Sequence, residues 1–298
     1  MKKYRNFISF IISFLLMIMV IASILVVFLK DTLLNDEYYI KVLDKQNVSR
    51  SVHDEIKKQL EYPLLTNNIP RDLLNGVISE QEVRNEIEDI TVNICEYFRG
   101  DKNSVEKFNA EKYKNRCSEA LNKYLTDKKI DLTEESKKDL AAIIDDSEKV
   151  VSTEIEWMNY SKLCSTNAVS SVRDKIVFLD DRSIIYALGI IQVVCIILLF
   201  LMWKNRKHRA CAWVGYSLIS AGLMLFIVFF SGYVSGFYEN INFLQPQLKT
   251  VICEVLETMM ISLSKYGAII AVLGIVFLSV YWRHLYRRNK REKMMLND

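Results

Sequence analysis

Four long apolar runs without a charge constrain the fold of this chain more than any other feature. They cover residues 7–29, 184–203, 210–230 and 266–282, and none of them contains Asp, Glu, Lys, Arg or His. A helix rises about 1.5 Å per residue, so a run of about 20 residues crosses a hydrocarbon core of about 30 Å. The alternative, four buried core helices of a soluble protein, fits this repetition poorly. We predict four transmembrane helices, the last extended outward by part of residues 248–265.

The first run has two interpretations, a cleaved signal peptide or a permanent span. Lys2, Lys3 and Arg5 precede it, which suits both. The run is longer than the usual apolar core of a signal peptide, and no small-residue cleavage site follows it. We therefore predict an uncleaved signal anchor.

Basic residues beside the spans predict the orientation of the chain. Residues 31–183 contain 31 acids and 23 bases, whereas the segments 1–6, 204–209 and 283–298 are rich in Lys and Arg. Cytoplasmic segments carry the excess of Lys and Arg, so both termini and the link 204–209 are expected inside, and 31–183 and 231–265 outside. The residues that set this topology are Lys2, Lys3, Arg5, Lys204, Arg206, Lys207, Arg209, Arg283, Arg287 and Arg288.

The cytoplasmic segments limit the functions that the chain can perform inside the cell. The longest of them, 283–298, is far below the size at which a single core folds without help. A cytoplasmic enzyme or nucleotide-binding domain is therefore excluded. Clustered Lys and Arg also occur in nucleic-acid-binding proteins, but beside spans they meet anionic headgroups. We expect a lipid bilayer as a partner, and no nucleic acid.

Residues 31–183 carry the signals of a helical domain. No Gly or Pro occurs between Asp101 and Leu188, which leaves few turn residues for strands. Ser79 and Glu82 form a capping box at the start of one helix, and Gly100 is placed to end it. Apolar residues at helical spacing include Val48, Val52, Ile56, Leu60, Val83, Ile87, Ile90, Ile94, Phe98, Tyr113, Cys117, Leu121, Leu140, Ile144, Val151, Ile155, Met158, Val169, Val172, Ile176 and Leu179.

These patterns predict one helix that ends before Pro63 and another that begins at Thr133. The last helix of the segment either continues into the second span or breaks near residues 164–167. The expected fold is an all-α membrane protein with four transmembrane helices and a helical extracytoplasmic domain between helices 1 and 2. Its apolar stripes pack as a bundle core, or part of one stripe is exposed for a partner.

The chain offers no recognisable catalytic constellation. His53 is the one histidine in the outer segment, and an isolated histidine on a helix is typical of a solvated surface. Metalloprotease, hydrolase and nucleotide-binding motifs do not occur. We predict no catalytic residues, no metal, no cofactor and no enzyme activity.

Four cysteines are expected outside the cytoplasm, where disulfides form. They are Cys95, Cys117, Cys164 and Cys253. Four cysteines allow three pairings, and a Cys164–Cys253 bridge would join the two outer segments. Cys95 and Cys117 lie on apolar helix faces, where a free thiol is an ordinary core residue. Both interpretations stay open at this point.

The spans contain few polar residues, and we predict that these pack helices together. Gln192 lies in the middle of the second span. Small residues at a spacing of four allow close approach of helices; they are Ser217, Ala221, Gly267 and Ala271, with Gly274 continuing the last pair. An ion-coupled carrier places ionisable residues inside the membrane, and these runs have none.

The stretch from Ile69 to Glu80 reads IPRDLLNGVISE. It resembles segments of uncharacterised multi-pass membrane proteins of clostridia and related low-GC Gram-positive bacteria, a likeness that brings no activity with it. The order of spans is similar to that of the permease subunit of the cell-division ABC transporter. That family has a longer cytoplasmic N-terminal segment for its ATPase, and the short tail here speaks against such coupling.

Three functions follow as hypotheses. The first is a non-catalytic envelope protein whose outer domain binds a protein, a second copy or a wall component, as a sensor, scaffold or anchor. The second is an accessory or permease-like subunit of a membrane transport complex. The third is an extracytoplasmic membrane enzyme. The expected location is the cell membrane, with several spans and both termini in the cytoplasm.

Overall fold

The computed structural model of the protein describes residues 2–66, 69–74, 76–129, 134–156, 160–241 and 246–295. All regular structure in these ranges is helical, as predicted. The α-helices are α1 Lys2–Phe28, α2 Asp36–Lys45, α3 Val48–Thr66, α4 Glu80–Arg99, α5 Glu111–Lys128, α6 Glu134–Ile155, α7 Tyr160–Cys164, α8 Asn167–Asp180, α9 Arg182–Met202, α10 Lys207–Ser235 and α11 Pro246–Met295. A π-helix covers Leu29–Leu33, and short 3₁₀ helices cover Arg71–Leu74, Lys204–Arg206 and Phe237–Asn240.

Four helical stretches are long and apolar enough to cross a membrane, so this is a multi-pass membrane protein. They are Tyr4–Leu33, Arg182–Met202, Lys204–Ser235 and Lys249–Arg287. Three of them contain a predicted apolar run in full, and Arg182–Met202 contains the run 184–203 except for Trp203. The link predicted at 204–209 is helical: a 3₁₀ helix covers Lys204–Arg206 and α10 begins at Lys207. The segment expected to be separate at 231–265 is largely helical, because α11 runs for 50 residues from Pro246.

The chain divides into two compact units. We call the first the membrane unit; it contains Met1–Leu33, Leu179–Asn242 and Ile252–Asp298. We call the second the helical domain; it contains Leu34–Phe178 and Phe243–Val251. The short second piece was predicted to belong to a separate outer segment. It belongs to the helical domain, because Val251 packs against that domain's core.

Inside the membrane unit, α1 packs against both α9 and α10. Their shared core contains Leu16, Val20, Cys195, Leu199, Val214 and Ala221, all buried. The opposite faces of these helices present large apolar side chains to the surroundings, among them Ile190 and Ile227. Apolar residues on the outside as well as the inside are what a bilayer requires of a spanning helix.

The helical domain has its own core, formed mainly by α3, α4, α5 and α6. Val48, Val52, Ile56 and Leu60 are all buried along α3, as their spacing predicted. The other buried members are Leu43, Leu64, Val77, Ile78, Val83, Ile87, Ala110, Tyr113, Cys117, Leu121, Ile143, Val151 and Ile155. A smaller cluster contains Tyr97, Val105, Tyr160 and Cys164. Met158, a predicted stripe residue, and Thr133, the predicted start of a helix, lie outside the described part of the chain.

Ion pairs connect neighbouring helices around this core. Arg99 in α4 donates to the Asp36 carboxylate in α2 at 2.9 Å and to the Leu34 carbonyl oxygen at 3.1 Å. Arg116 in α5 donates to the Glu82 carboxylate in α4 at 2.5 Å. Glu82 also completes the predicted capping box, since it accepts from the Ser79 backbone nitrogen at 3.0 Å. One side chain thereby caps α4 and holds it against α5.

Three local predictions meet different outcomes. Gly100 ends α4 in the left-handed conformation with φ 87°, as expected of a C-terminal glycine. The end of α3 before Pro63 was predicted wrongly, because the helix continues to Thr66. Proline weakens a helix but does not forbid a last turn, and this turn brings Leu64 into the core, where it is fully buried. Both alternatives for the apolar stripes, core packing or exposure, were left open, and Val172 of the last stripe is exposed.

The chain breaks twice before the second span, which decides between the two alternatives for the last outer helix. Ser165 and Thr166 separate α7 from α8, so the break expected near 164–167 is confirmed. Asp181 separates α8 from α9, and its carboxylate accepts a hydrogen bond from the Ser183 backbone nitrogen at 2.9 Å. This N-cap starts α9 as a helix of its own.

Candidate functional site

Gln192, the polar residue in the middle of α9, binds helix α1. Its side-chain amide donates hydrogen bonds to the Ser23 hydroxyl at 2.6 Å and to the Met19 carbonyl oxygen at 3.0 Å. Hydrocarbon supplies no partner for an amide, so a neighbouring helix has to supply one. The contact therefore fixes the register of α1 against α9.

Ser217 makes the corresponding polar contact between α10 and α1. Its hydroxyl oxygen lies 2.5 Å from the Ser13 hydroxyl oxygen and 2.8 Å from the Ser13 carbonyl oxygen. The Ser13 hydroxyl also reaches the Trp213 carbonyl oxygen at 2.9 Å. Ala221, one turn further along α10, is buried in the core shared by α1, α9 and α10. Ser217 and Ala221 thus serve the contact with α1.

Small residues of α11 pack on a different face of α10. A Cβ added to Gly267 would lie 2.7 Å from the Gly222 carbonyl oxygen, and one added to Gly274 would lie 2.9 Å from the Gly215 carbonyl oxygen. A Cβ on Gly222 would also collide with the backbone of Ala271. The two backbones touch where these glycines face each other, so the helices run antiparallel.

Sequence reasoning missed the α10 half of this contact. Gly215 and Gly222 are seven residues apart, as are Gly267 and Gly274. Seven residues make about two helical turns, which returns to nearly the same face. The matching spacing in consecutive spans was the available signal, because it allows both glycine pairs to meet at once.

Trp203 joins three segments at one end of the membrane unit. Its indole nitrogen donates to the Ser9 hydroxyl at 2.9 Å, and its side chain is only 2% exposed. The guanidinium carbon of Arg5 lies 4.0 Å from the ring centroid, and that of Arg209 lies 5.1 Å from it. These distances are those of cation–π contacts. Arg5 and Arg209, both predicted to set the topology, therefore contact the same aromatic ring. We call this end of the membrane unit the basic end.

A cavity of about 850 Å³ opens at the same end, between the start of α10 and the last turns of the span in α11. Its basic lining residues are Lys204, Arg206, Lys207, Arg283 and Arg287. His208 and His284 line it too, with parallel rings whose centroids are 4.0 Å apart. Of the ten predicted topology residues, five therefore meet around one cavity and two meet at Trp203. The side chains of Lys2, Lys3 and Arg288 lie outside the described residues.

Two histidines and a cysteine line this cavity, a combination that also occurs in metal sites. The histidines are His208 and His284, and the cysteine is Cys211. Among the residues that the structure describes, however, no three His, Cys, Asp or Glu side chains are arranged to hold a metal ion. His53, in the helical domain, contacts Asp54, with Nδ1 3.3 Å from the carboxylate.

The cysteines of the chain are free thiols in the structure, all six of them. Cys117 is buried in the main core of the helical domain, and Cys164 is buried in its smaller cluster. Burial raises the pKa of the Cys95 thiol to about 11 and also raises the pKa of the Cys117 and Cys164 thiols. A disulfide among Cys95, Cys117, Cys164 and Cys253 stays a hypothesis from the sequence.

Comparison with known proteins gives the chain no relative: no protein-family model, curated protein or solved structure matches it. The likeness of residues 69–80 to clostridial membrane proteins, and that of the span order to an ABC permease subunit, stay predictions. The residues themselves define a class, a helical multi-pass membrane protein with a separate helical domain.

Proposed function

We propose that the protein is a non-catalytic component of the cell envelope whose helical domain lies outside the cytoplasm and binds another envelope protein or a cell-wall component. The four spans anchor that domain in the cell membrane. In this role the protein is a sensor, scaffold or anchor. The proposal follows from how the domain uses its apolar side chains.

One observation carries the proposal. The helical domain closes a core of its own, yet the end of α3 keeps two large side chains exposed, Tyr62 at 72% and Leu65 at 42%. Residues three apart share one face of a helix, so the two form an apolar pair at the surface. Tyrosine is enriched in the centres of protein interfaces, where its ring contributes area at a low entropy cost. A partner that covers Tyr62 and Leu65 would bury that pair.

A photo-crosslinking residue at Tyr62 in the full-length chain tests this role. We expect a specific cross-linked partner in native membranes, identified by mass spectrometry. The matched control carries the same residue at Lys123, an exposed position of α5 in the same domain. Equal adducts at both positions, or none at Tyr62, would contradict the proposal.

The location of the helical domain outside the cytoplasm is supported by the 31 acids against 23 bases in residues 31–183 and by the basic residues beside the spans. A membrane-impermeant thiol reagent tests it. A cysteine introduced at Lys123 is expected to react in intact cells, and one introduced at Lys290 only after permeabilisation. The reverse pattern would overturn the orientation and, with it, the proposed role.

A second candidate is an accessory or permease-like subunit of a transport complex. It is favoured by the length of α11, which continues as a helix past the apolar run 266–282 to Met295. Tyr286 on this extension is 71% exposed. A photo-crosslinker at Tyr286 would capture the partner subunit if this candidate is right. Capture at Tyr62 alone would favour the first.

A further inference from the structure

The cavity at the basic end brings together positive charges from two helices. Lys204, Arg206 and Lys207 come from the 3₁₀ helix and the start of α10, and Arg283 and Arg287 come from α11. No Asp or Glu among the residues that the structure describes lines it. Arg283 and Arg287 are four residues apart, which places both on one face of α11. A volume of about 850 Å³ is large enough for a phosphate group with its substituents.

These charges have no counter-charge within the described part of the protein. None of the five cationic side chains takes part in an ion pair or hydrogen bond there. Elsewhere in the same ranges, basic residues such as Arg84 and Arg99 are paired with carboxylates. Like charges gathered around one cavity repel each other, and an anion bound between them would reverse the sign of that interaction.

The start of α10 adds to the positive potential. This helix is 29 residues long and begins at Lys207, and no side chain caps its N-terminus. The first turn of a helix has backbone N–H groups without intrahelical acceptors and carries a partial positive charge. Anions bind at such termini when basic side chains surround them. Here Lys207 and His208 of the first turn line the cavity.

The less polar side of the cavity is formed by Val280 and Cys211. His208 and His284 stack in parallel, and Tyr281 lies against His208 with ring centroids 6.0 Å apart. The two imidazole rings line the cavity, with Tyr281 packed against one of them, and the Arg and Lys side chains supply the donors. Arginine forks match the geometry of phosphate oxygens.

We propose that this cavity is a binding site for a phosphate-bearing anion. The phosphate accepts hydrogen bonds from Arg283 and Arg287 on one side and from Lys204, Arg206 or Lys207 on the other. Two sources have this chemistry, the headgroup of an anionic phospholipid and a soluble phosphate compound. Basic pockets between transmembrane helices are typical sites for the former. The proposal is independent of the partner proposed for the helical domain.

Histidine NMR tests the site in the full-length protein. The chain has three histidines, of which His208 and His284 line the cavity and His53 belongs to the helical domain. The protein is labelled at its histidine rings and placed in nanodiscs of phosphatidylcholine at constant pH. Replacing part of the lipid with phosphatidylglycerol is expected to shift the His208 and His284 signals and to leave His53 unchanged.

The two sources are separated by a second titration. Inorganic phosphate is added to the protein in nanodiscs of phosphatidylcholine alone. Shifts with inorganic phosphate identify a site open to soluble phosphates, and shifts with phosphatidylglycerol only identify a lipid site. If neither addition moves the two signals more than that of His53, the proposal is wrong.

A charge variant assigns the binding to these residues. Arg283→Gln with Arg287→Gln removes two donors, so binding is expected to weaken at least about tenfold, as the loss of a charged hydrogen bond does. The matched control, Arg182→Gln with Lys290→Gln, removes the same charge outside the cavity lining and is expected to keep the affinity. Equal weakening in both would show a general charge effect and overturn the site. The wild-type titrations stand on their own if the variant does not fold.

Discussion

A Cβ atom on Gly222 of α10 would lie 2.5 Å from the carbonyl oxygen of Gly267 in α11. That distance is shorter than any that real Cβ atoms keep, so the two helices approach as closely as they do because neither residue has a side chain. Lipid tails are as apolar as the helices, so close packing is a main source of helix association in a membrane. The contact between α10 and α11 should therefore depend on these glycines.

Gly222→Ala is expected to lower the free energy of unfolding by about 1–3 kcal/mol, because an added methyl group forces the two backbones apart. The measurement is unfolding of the purified protein in mixed micelles by increasing denaturing detergent. Gly189→Ala is the matched control, since an added Cβ at Gly189 meets no atom within 4 Å. A Gly222→Ala protein as stable as the Gly189→Ala protein would show that the helices are not in close contact.

The same contact shows what the sequence could and could not predict. Gly267 and Gly274 stood out as small residues, and α11 does use them for packing. Their partners Gly215 and Gly222 were not found, because a pattern within one helix does not identify the helix that it faces. Ser217 was grouped with them by residue size, although it faces α1.

Signals that act over one helical turn were more reliable. The capping box of Ser79 and Glu82 and the glycine cap at Gly100 depend on neighbours in sequence, and both are present. The basic cavity depends on residues that are distant in sequence. Its charges were visible from the sequence as flanks of spans, but the meeting of His208 with His284 follows only from the packing of α10 against α11.

Gln192 and Ser23 are expected to be energetically coupled. Their hydrogen bond of 2.6 Å joins α9 to α1, and such bonds between transmembrane helices contribute about 0.6 kcal/mol on average and about 2 kcal/mol at most. A double-mutant cycle with Gln192→Leu and Ser23→Ala, measured by unfolding in mixed micelles, gives the coupling energy. The control cycle combines Gln192→Leu with Ser279→Ala. The Ser279 hydroxyl donates to the Val276 carbonyl oxygen of its own helix. Coupling no larger than in the control cycle would exclude a specific bond.

The pairing of Asp36 with Arg99 predicts a pH-dependent stability of the helical domain. The hydrogen bond from Arg99 lowers the pKa of the Asp36 carboxyl below its ordinary value of 3.8. A carboxyl whose pKa is lower in the folded state stabilises the fold above its unfolded pKa, and this contribution is lost as the pH falls through the folded pKa. Asp36→Asn should therefore cost about 1 kcal/mol near pH 7.

That difference between the wild type and Asp36→Asn is expected to shrink below about pH 4, where the wild-type carboxyl also becomes neutral. Thermal unfolding of the reconstituted protein, followed by circular dichroism over a pH series, measures it. Asp127→Asn is the control, because Asp127 is exposed and has no ion pair within the described residues. A deficit for Asp36→Asn that stays constant down to the most acidic pH would contradict the linkage.

Free, buried thiols in the helical domain predict a particular alkylation pattern. Burial raises the pKa of the Cys95 thiol from 9.0 to about 11, so at neutral pH about a hundredfold less of it is the reactive thiolate. Cys117 and Cys164 are buried as well. We expect these three to resist maleimide in the native protein and to react fully once the domain is unfolded.

The same reagent decides between free thiols and the disulfide hypothesis. In denaturing detergent without a reductant, all six cysteines are expected to carry a label, as the structure requires of free thiols. A mass short by two labels, restored after reduction, would instead establish a disulfide, and peptide mapping would show whether it joins Cys164 to Cys253. The cells are lysed directly into denaturing detergent that contains excess maleimide, so that oxidation during purification does not create the bond being sought. Disulfides form only where the compartment oxidises thiols. Full labelling would therefore mean that no disulfide stabilises the helical domain, and that its stability comes from its apolar core and its ion pairs.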